Sequence, residues 1–309
     1  GDLHKENTPP FRGGDAGPPG AGRRNQSVII TRTPVRISFA GGGSDMPAFY
    51  EREGGAVLSA AINKYFYTVI TARSDTILQL ISSDLRIVEQ VDAVDPSSYS
   101  GDLRIPMAVV RRNRVRRGMN IFMASEIPPG TGLGSSASVC VNLIRAVWTL
   151  QGRAVNPYDL AEEAFFVASS MLGEPVGKQD EYAAAFGGIN EIRFEREGAT
   201  VLPLELGRDL IERLERRILL FFTGGSRRST EILAEQQQGC VEGSPDLTRR
   251  LREMRDLVVP VRKALQEGDL DGLGDLLHEG WRCKRGISTR IANARIDDLY
   301  RVAREHGAQ

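Results

Sequence analysis

The sequence predicts an α+β protein in two lobes, on three observations. Runs rich in β-branched and aromatic residues fill the first third. Polar glycine-rich loops punctuate the middle, and from about residue 245 the pattern is amphipathic helix. Strands and then helices, rather than strict βα alternation, point to segregated layers. The expected division lies near 195–215, giving a first unit over 27–200 and a second over 201–309. A chain of 309 residues can bury a substantial core in one large or two moderate domains.

Residues 1–26 stand apart. Thr8-Pro9-Pro10, Gly13-Gly14 and Gly17-Pro18-Pro19-Gly20 combine turn formers with almost no apolar side chains. Such a segment cannot offset its ordering entropy and is expected to be a disordered tail. Order begins at Ser27-Val28-Ile29-Ile30. From Val35 the residues alternate, with Val35, Ile37 and Phe39 on one face and Arg36, Ser38 and Ala40 on the other, which is a strand. It ends in Gly41-Gly42-Gly43-Ser44-Asp45, and a short helix over 46–53 is stopped by Gly54-Gly55. Strands follow within 56–74 and 76–91, a helix at 103–116, a strand at 120–125, and helices at 137–151 and 157–171. After a second unusual loop at 173–188, strands are expected at 189–195, 199–204 and 217–223. A helix opening at 224–230 runs to about Gln238, and amphipathic helices occupy 245–267, 269–283 and 293–307.

Bulk properties exclude several classes. Hydrophobic residues make up 41% and charged residues 26%, an ordinary globular balance. Forty basic and forty acidic residues cancel, so nothing argues for a nucleic-acid partner. The Arg111–Arg117 cluster lacks interleaved aromatics and reads as a solvated helix end or loop. Cys140, Cys240 and Cys283 form no CxxC pair, which suggests a reducing, cytoplasmic setting. His4, His278 and His306 show no metal-ligand spacing. No run approaches the roughly 18 apolar residues of a membrane span, so no membrane partner is expected.

Two loops carry chemistry. Pro128–Ser138 places three glycines in five residues between a strand and an apolar helix bearing Val139, Leu143, Ala146, Val147 and Leu150 on one face. A helix start of this kind is an anion site, because its first N–H groups lack partners and the macrodipole is positive there. It can equally be a plain turn with Ser135 or Ser138 as N-cap. In Gly177-Lys178-Gln179-Asp180, Asp180 is either an N-cap or a carboxylate able to take a proton from a substrate hydroxyl.

Taken with Arg32-Thr33-Pro34-Val35-Arg36-Ile37-Ser38-Phe39-Ala40-Gly41-Gly42-Gly43-Ser44-Asp45, these loops resemble the GHMP (galacto-, homoserine, mevalonate and phosphomevalonate) small-molecule kinases. Within that family the chain most resembles bacterial D-glycero-D-manno-heptose 7-phosphate kinases over about residues 29–309. The resemblance implies a ribosomal-S5-like N-terminal lobe and a ferredoxin-like C-terminal lobe. It implies ATP and Mg²⁺ as cofactors and a sugar phosphate as acceptor, with self-association left open. Gly130, Thr131, Gly132, Leu133, Gly134, Ser135, Ser136 and Ala137 would cradle the ATP phosphates, Ser136 also touching Mg²⁺. Asp180 would be the base and Arg36 its partner, while Asp45, Gly42, Gly43, Ser44 and Lys178 would line the acceptor site. The glycine loop is not a Walker A loop, since no Gly-Lys-Ser/Thr follows.

Two departures accompany the match. The position expected to hold a magnesium-binding glutamate is Ala168, with Glu162 and Glu163 one to two turns earlier. The family's third glycine-rich motif is expected just past Gln309, so the second lobe is expected to be incomplete. The rival readings are a GHMP kinase for another sugar or a mevalonate-type alcohol, and a non-catalytic nucleotide- or sugar-binding relative. Arg227, Arg228, Lys284 and Arg285 are weaker phosphate-binding candidates that read first as surface charges, and Trp148 and Trp281 read as packing.

Overall fold

The computed structural model describes residues 28–93, 103–223, 229–288 and 290–309. The expected disordered tail and the 224–228 helix opening, with Arg227 and Arg228, lie outside the described residues.

The first unit is a mixed sheet built around one long strand. β1 (Val28–Ala40) runs antiparallel along one edge of β2 (Gly55–Ala72). The other edge of β2 is divided: Phe66–Ala72 pairs with β5 (Met119–Ser125), and Gly55–Ala60 pairs with β6 (Ile189–Glu195). β3 (Ile77–Ser82) lies parallel to β5 and forms a hairpin with β4 (Ile87–Asp92), while β7 (Gly198–Pro203) closes the far end. Val57 and Leu58, adjacent in β2 and both fully buried, belong to different cores. Alternation along the strand sends them to opposite faces, so β2 is covered on both sides.

The first core packs the sheet against α2 (Arg104–Arg112), α3 (Ser135–Leu150), α4 (Pro157–Phe166) and α5 (Gln179–Phe186). Trp148 is buried there and donates its indole N–H to Asn113 at 2.7 Å. The second core joins Phe39, Ala40, Leu58 and Ala60 to α6 (Arg208–Arg217), α9 (Val258–Glu267) and α10 (Leu270–Arg285). α7 (Ser229–Val241) and α8 (Pro245–Asp256) pack on α1 (Pro47–Glu53) through Phe49, Cys240 and Leu251. α11 (Ala294–Glu305) leans on α10 through Tyr300, which stacks on His278 and contacts the half-buried Trp281.

Five expectations are corrected. The 76–91 segment is two strands separated by a turn in which Arg86 has φ 56°. The helix expected over 245–267 breaks at Leu257 into α8 and α9, and the helix expected to reach 116 ends at Arg112. The last turn of the 157–171 helix widens into a π turn, Val167–Met171, a local distortion found often near functional sites. Finally, 217–223 is not a strand. The run Ile218-Leu219-Leu220-Phe221-Phe222 is extended in composition only, with Leu219 75% and Phe221 76% exposed. A strand needs a neighbour for its N–H and C=O groups, and no strand follows Pro203 among the described residues. After Pro203 the regular elements among the described residues are all helices.

Gly41 shows how tightly β1 is joined to β2. Its φ is +85°, and a Cβ there would fall 2.0 Å from the Ala56 carbonyl oxygen. Gly41→Ala combines a left-handed alanine with a backbone clash and is expected to cost about 2 kcal/mol or more. A thermal melt should fall by roughly 4–8 °C; an unchanged melting temperature would contradict this packing.

Candidate active site

β1 is an edge strand, which is why it tolerates Pro34. The register with β2 slips between Pro34 and Arg36 and again between Ser38 and Ala40. Such bulges re-aim a strand. Here the Arg36 N–H leaves the ladder and donates to the Leu133 carbonyl at 3.1 Å. The glycine loop is thereby sewn to β1.

The helix behind the loop is bolted in place by buried polar groups. The Thr31 hydroxyl donates to Asn142 Oδ1 at 2.9 Å, and Asn142 Nδ2 donates to the Thr33 hydroxyl and the Phe66 carbonyl. Ser138 Oγ donates to the Pro34 carbonyl at 2.8 Å. The N-cap of α3 is Gly134 in the left-handed region, φ 74°, rather than Ser135 or Ser138. Gly130, Gly132 and Gly134 all have positive φ between 74° and 76°. The N–H groups of Ser135, Ser136 and Ala137 have no intrahelical acceptor. Thr131 Oγ1 is buried without a partner among the described residues. Free N–H donors, an orphaned hydroxyl and the positive helix end together fit a phosphate chain.

Asp180 meets this loop directly. Its N-cap role is not seen: Lys178 caps α5, and Asp180 lies in the first turn. Its Oδ1 accepts from Arg36 Nε at 2.7 Å and lies 2.5 Å from Arg36 Nη2, a forked charge-assisted pair. Arg36 Nη1 also donates to the Gly132 carbonyl at 2.8 Å. A Cβ on Gly134 would sit 3.2 Å from the Asp180 carboxylate. Glycine loop, arginine and aspartate therefore converge on one point. Burial pushes the Asp180 carboxyl above its ordinary range, and the Arg36 charge opposes that rise.

The other expected site residues are placed differently. Asp45 is buried, with Oδ1 accepting from the Gly43 N–H at 2.8 Å and Oδ2 from the Gln179 N–H at 3.0 Å. It staples the 41–45 loop to the start of α5. Ser44 is fully buried and turns to Ala56 in β2, away from the loop face. Lys178 does not reach Asp180. Its ammonium is held by Glu162 at 2.7 and 2.8 Å, over the Phe165 ring, and Tyr182 donates to the same carboxylate at 2.6 Å. Ala168 sits in the π turn, where it offers only its carbonyl, to the Glu174 N–H. Arg112, from the expected solvated cluster, pairs with Glu163.

Two residues from the helical unit complete the site. Lys284 of α10 donates to the Gly42 carbonyl at 3.1 Å, so it is not a surface charge. Buried Gln236 of α7 donates to the Gly43 carbonyl at 2.9 Å. Neither stands in a motif. Each is one polar residue on an amphipathic helix, and only the tertiary crossing gives it meaning.

Residues 104–188 match the family described as GHMP kinases N terminal domain. The D-glycero-alpha-D-manno-heptose 7-phosphate kinase of Campylobacter jejuni is 27% identical over 91% of this chain and 84% of its own length. A crystal structure of a D-glycero-D-manno-heptose 1-phosphate kinase from Bacteroides thetaiotaomicron superposes with TM-score 0.72 at 26% identity, covering 84% of this chain and 79% of that one. A sugar kinase structure from Campylobacter jejuni gives TM-score 0.71 at 26% identity over 91% of this chain and 83% of that one. Fold, domain match and loop geometry point the same way: residues 104–188 match a GHMP kinase N-terminal domain, and the chain is similar over most of its length to small-molecule kinases. Among the particular kinases it resembles, those named for heptose phosphates share its fold over most of its length.

Proposed function

We propose that this chain transfers the terminal phosphoryl group of ATP to the anomeric hydroxyl of a heptose 7-phosphate, in the cytoplasm. The observation that carries the reading is the Asp180 carboxylate lying against Gly134 at the start of α3 while forked by Arg36. In the step, the acceptor oxygen bonds to the terminal phosphorus and the bond to the ADP oxygen breaks. The hydroxyl proton passes to the Asp180 carboxylate. The N–H groups of Ser135, Ser136 and Ala137 hold phosphate oxygens, and Arg36 keeps Asp180 ionised and adds positive charge beside the loop.

Magnesium is tested against the donors available. Among the described residues no three His, Cys, Asp or Glu side chains form a cation cluster, and Glu162 is occupied by Lys178 and Tyr182. The exposed Ser136 hydroxyl is the donor at the loop. That suits Mg²⁺ arriving on the nucleotide, which keeps water and phosphate oxygens and needs little from the protein. Bound there, it would neutralise phosphate charge. All three cysteines are free, and no described helix is long and apolar enough to cross a membrane.

The test is ADP release with a panel of acceptors, with the product checked by ³¹P NMR. Turnover is expected to be much faster with the heptose 7-phosphate than with the unphosphorylated heptose or mevalonate. Faster turnover of unphosphorylated sugars or mevalonate would move the assignment to another GHMP acceptor. Nucleotide binding with no turnover of any acceptor would favour the non-catalytic reading, which the Ala168 substitution supports.

A further inference from the structure

We propose that Lys284 is a phosphoryl-binding residue on the acceptor side of Asp180, contributed by the helical unit. The inference rests on the kinase reading above. It starts from where the site's charges are spent. Asp180 is forked by Arg36, and both oxygens of Asp45 are held by backbone N–H groups. The Lys284 ammonium has only a neutral hydrogen-bond partner, the Gly42 carbonyl, and no carboxylate within ion-pair distance among the described residues.

A lysine ammonium has three donors, so two remain available. A cation drawn out of water and bonded to a neutral carbonyl alone is poorly compensated. An anionic oxygen would compensate it; a neutral sugar hydroxyl would do so only in part. Arg36 lies on the glycine-loop side, bonded to Gly132 and Leu133, while Lys284 lies on the 41–45 loop. Both cations act on Asp180. The anion that Lys284 takes is a phosphate oxygen, either on the acceptor's own phosphate or on the phosphoryl group in transfer.

Its surroundings also set a pH signature. Arg36 from β1, Asp45 from the loop and Asp180 from α5 all act on the ammonium. Burial, the largest influence, pushes the lysine below its ordinary range. Activity that needs the charged form is lost as pH rises through that value.

The experiment is steady-state kinetics of Lys284→Met, Lys284→Gln and Lys284→Arg with heptose 7-phosphate and with the unphosphorylated heptose, with thermal melts to confirm folding. If the acceptor's phosphate is bound, Lys284→Met raises KM for the 7-phosphate roughly 10- to 100-fold and leaves the unphosphorylated sugar within about twofold. If the phosphoryl in transfer is bound, kcat falls by the same factor with both sugars. Lys284→Arg keeps its charge at all working pH and moves the alkaline limb upward. Wild-type kinetics in Lys284→Gln, which can still donate to Gly42 but carries no charge, would overturn the proposal. So would kcat and KM for both sugars within about twofold in Lys284→Met. If the wild type turns over neither sugar, the kinase acceptor assignment fails separately. Lys284 is then judged by inorganic phosphate titrated calorimetrically: loss of binding in Lys284→Met supports the site, and unchanged or absent wild-type binding overturns it.

Discussion

Asp180→Asn is expected to lower kcat by roughly 10²–10⁴-fold, with the KM for ATP nearly unchanged. Asparagine keeps the shape of the carboxylate and can still accept from Arg36, but it cannot take the acceptor's proton. The loop contact at Gly134 survives, so nucleotide binding should survive with it. The pH profile adds a second reading. Burial raises the Asp180 carboxyl more than Arg36 lowers it, so the acid limb of the wild-type rate should lie above the ordinary aspartate value of about 3.9. Below that limb the carboxyl is protonated and cannot act as a base; activity appears as pH rises through it. The linkage sign is the reverse for stability. A folded-state value raised above the unfolded one means that the contribution is full at low pH and is lost as pH rises through the folded value. Replacing the carboxylate should therefore cost little stability at neutral pH. Wild-type turnover in Asp180→Asn would remove this residue from the base role.

The parts of the site legible in the sequence are those where backbone chemistry dictates residue type. Three left-handed glycines cannot be replaced cheaply, so Gly130, Gly132 and Gly134 mark the loop by residue type alone. The alternation of β1 placed Arg36 on the polar face, opposite the core residues Val35 and Phe39. What a single sequence hides is tertiary choice. Lys178 is one residue from Gln179 and two from Asp180, yet its side chain goes to Glu162, sixteen residues back, because α4 and α5 pack together there. Asp45 ends a legible glycine-rich loop, but its part as a staple is hidden, since beside the nearby Gly43 N–H its other partner is the Gln179 N–H, more than 130 positions away. The apolar stretch at 217–223 has the composition of a strand. Whether it pairs depends on a neighbour, which composition does not encode.

Arg36→Met should produce the largest combined loss. The fork to Asp180 and the bond to the Gly132 carbonyl both disappear. Breaking a fully buried ion pair costs about 3–5 kcal/mol. Here the Asp180 side chain is 32% exposed and Arg36 14%, so screening brings the expected loss at neutral pH to about 1–2 kcal/mol. That loss should shrink in acid, where a protonated Asp180 no longer needs its partner. On the rate, removing the positive charge beside the loop should lower kcat roughly 10²–10³-fold. The acid limb should also move to higher pH, because the main influence holding the Asp180 carboxyl down has gone. Arg36→Lys should recover only part of the rate, since an ammonium cannot span the carboxylate and the Gly132 carbonyl as a guanidinium does. The limb position separates two roles that kcat alone cannot. An acid limb that stays in place in Arg36→Met, with kcat reduced, would leave Arg36 as a phosphate-side charge and detach it from the ionisation of Asp180.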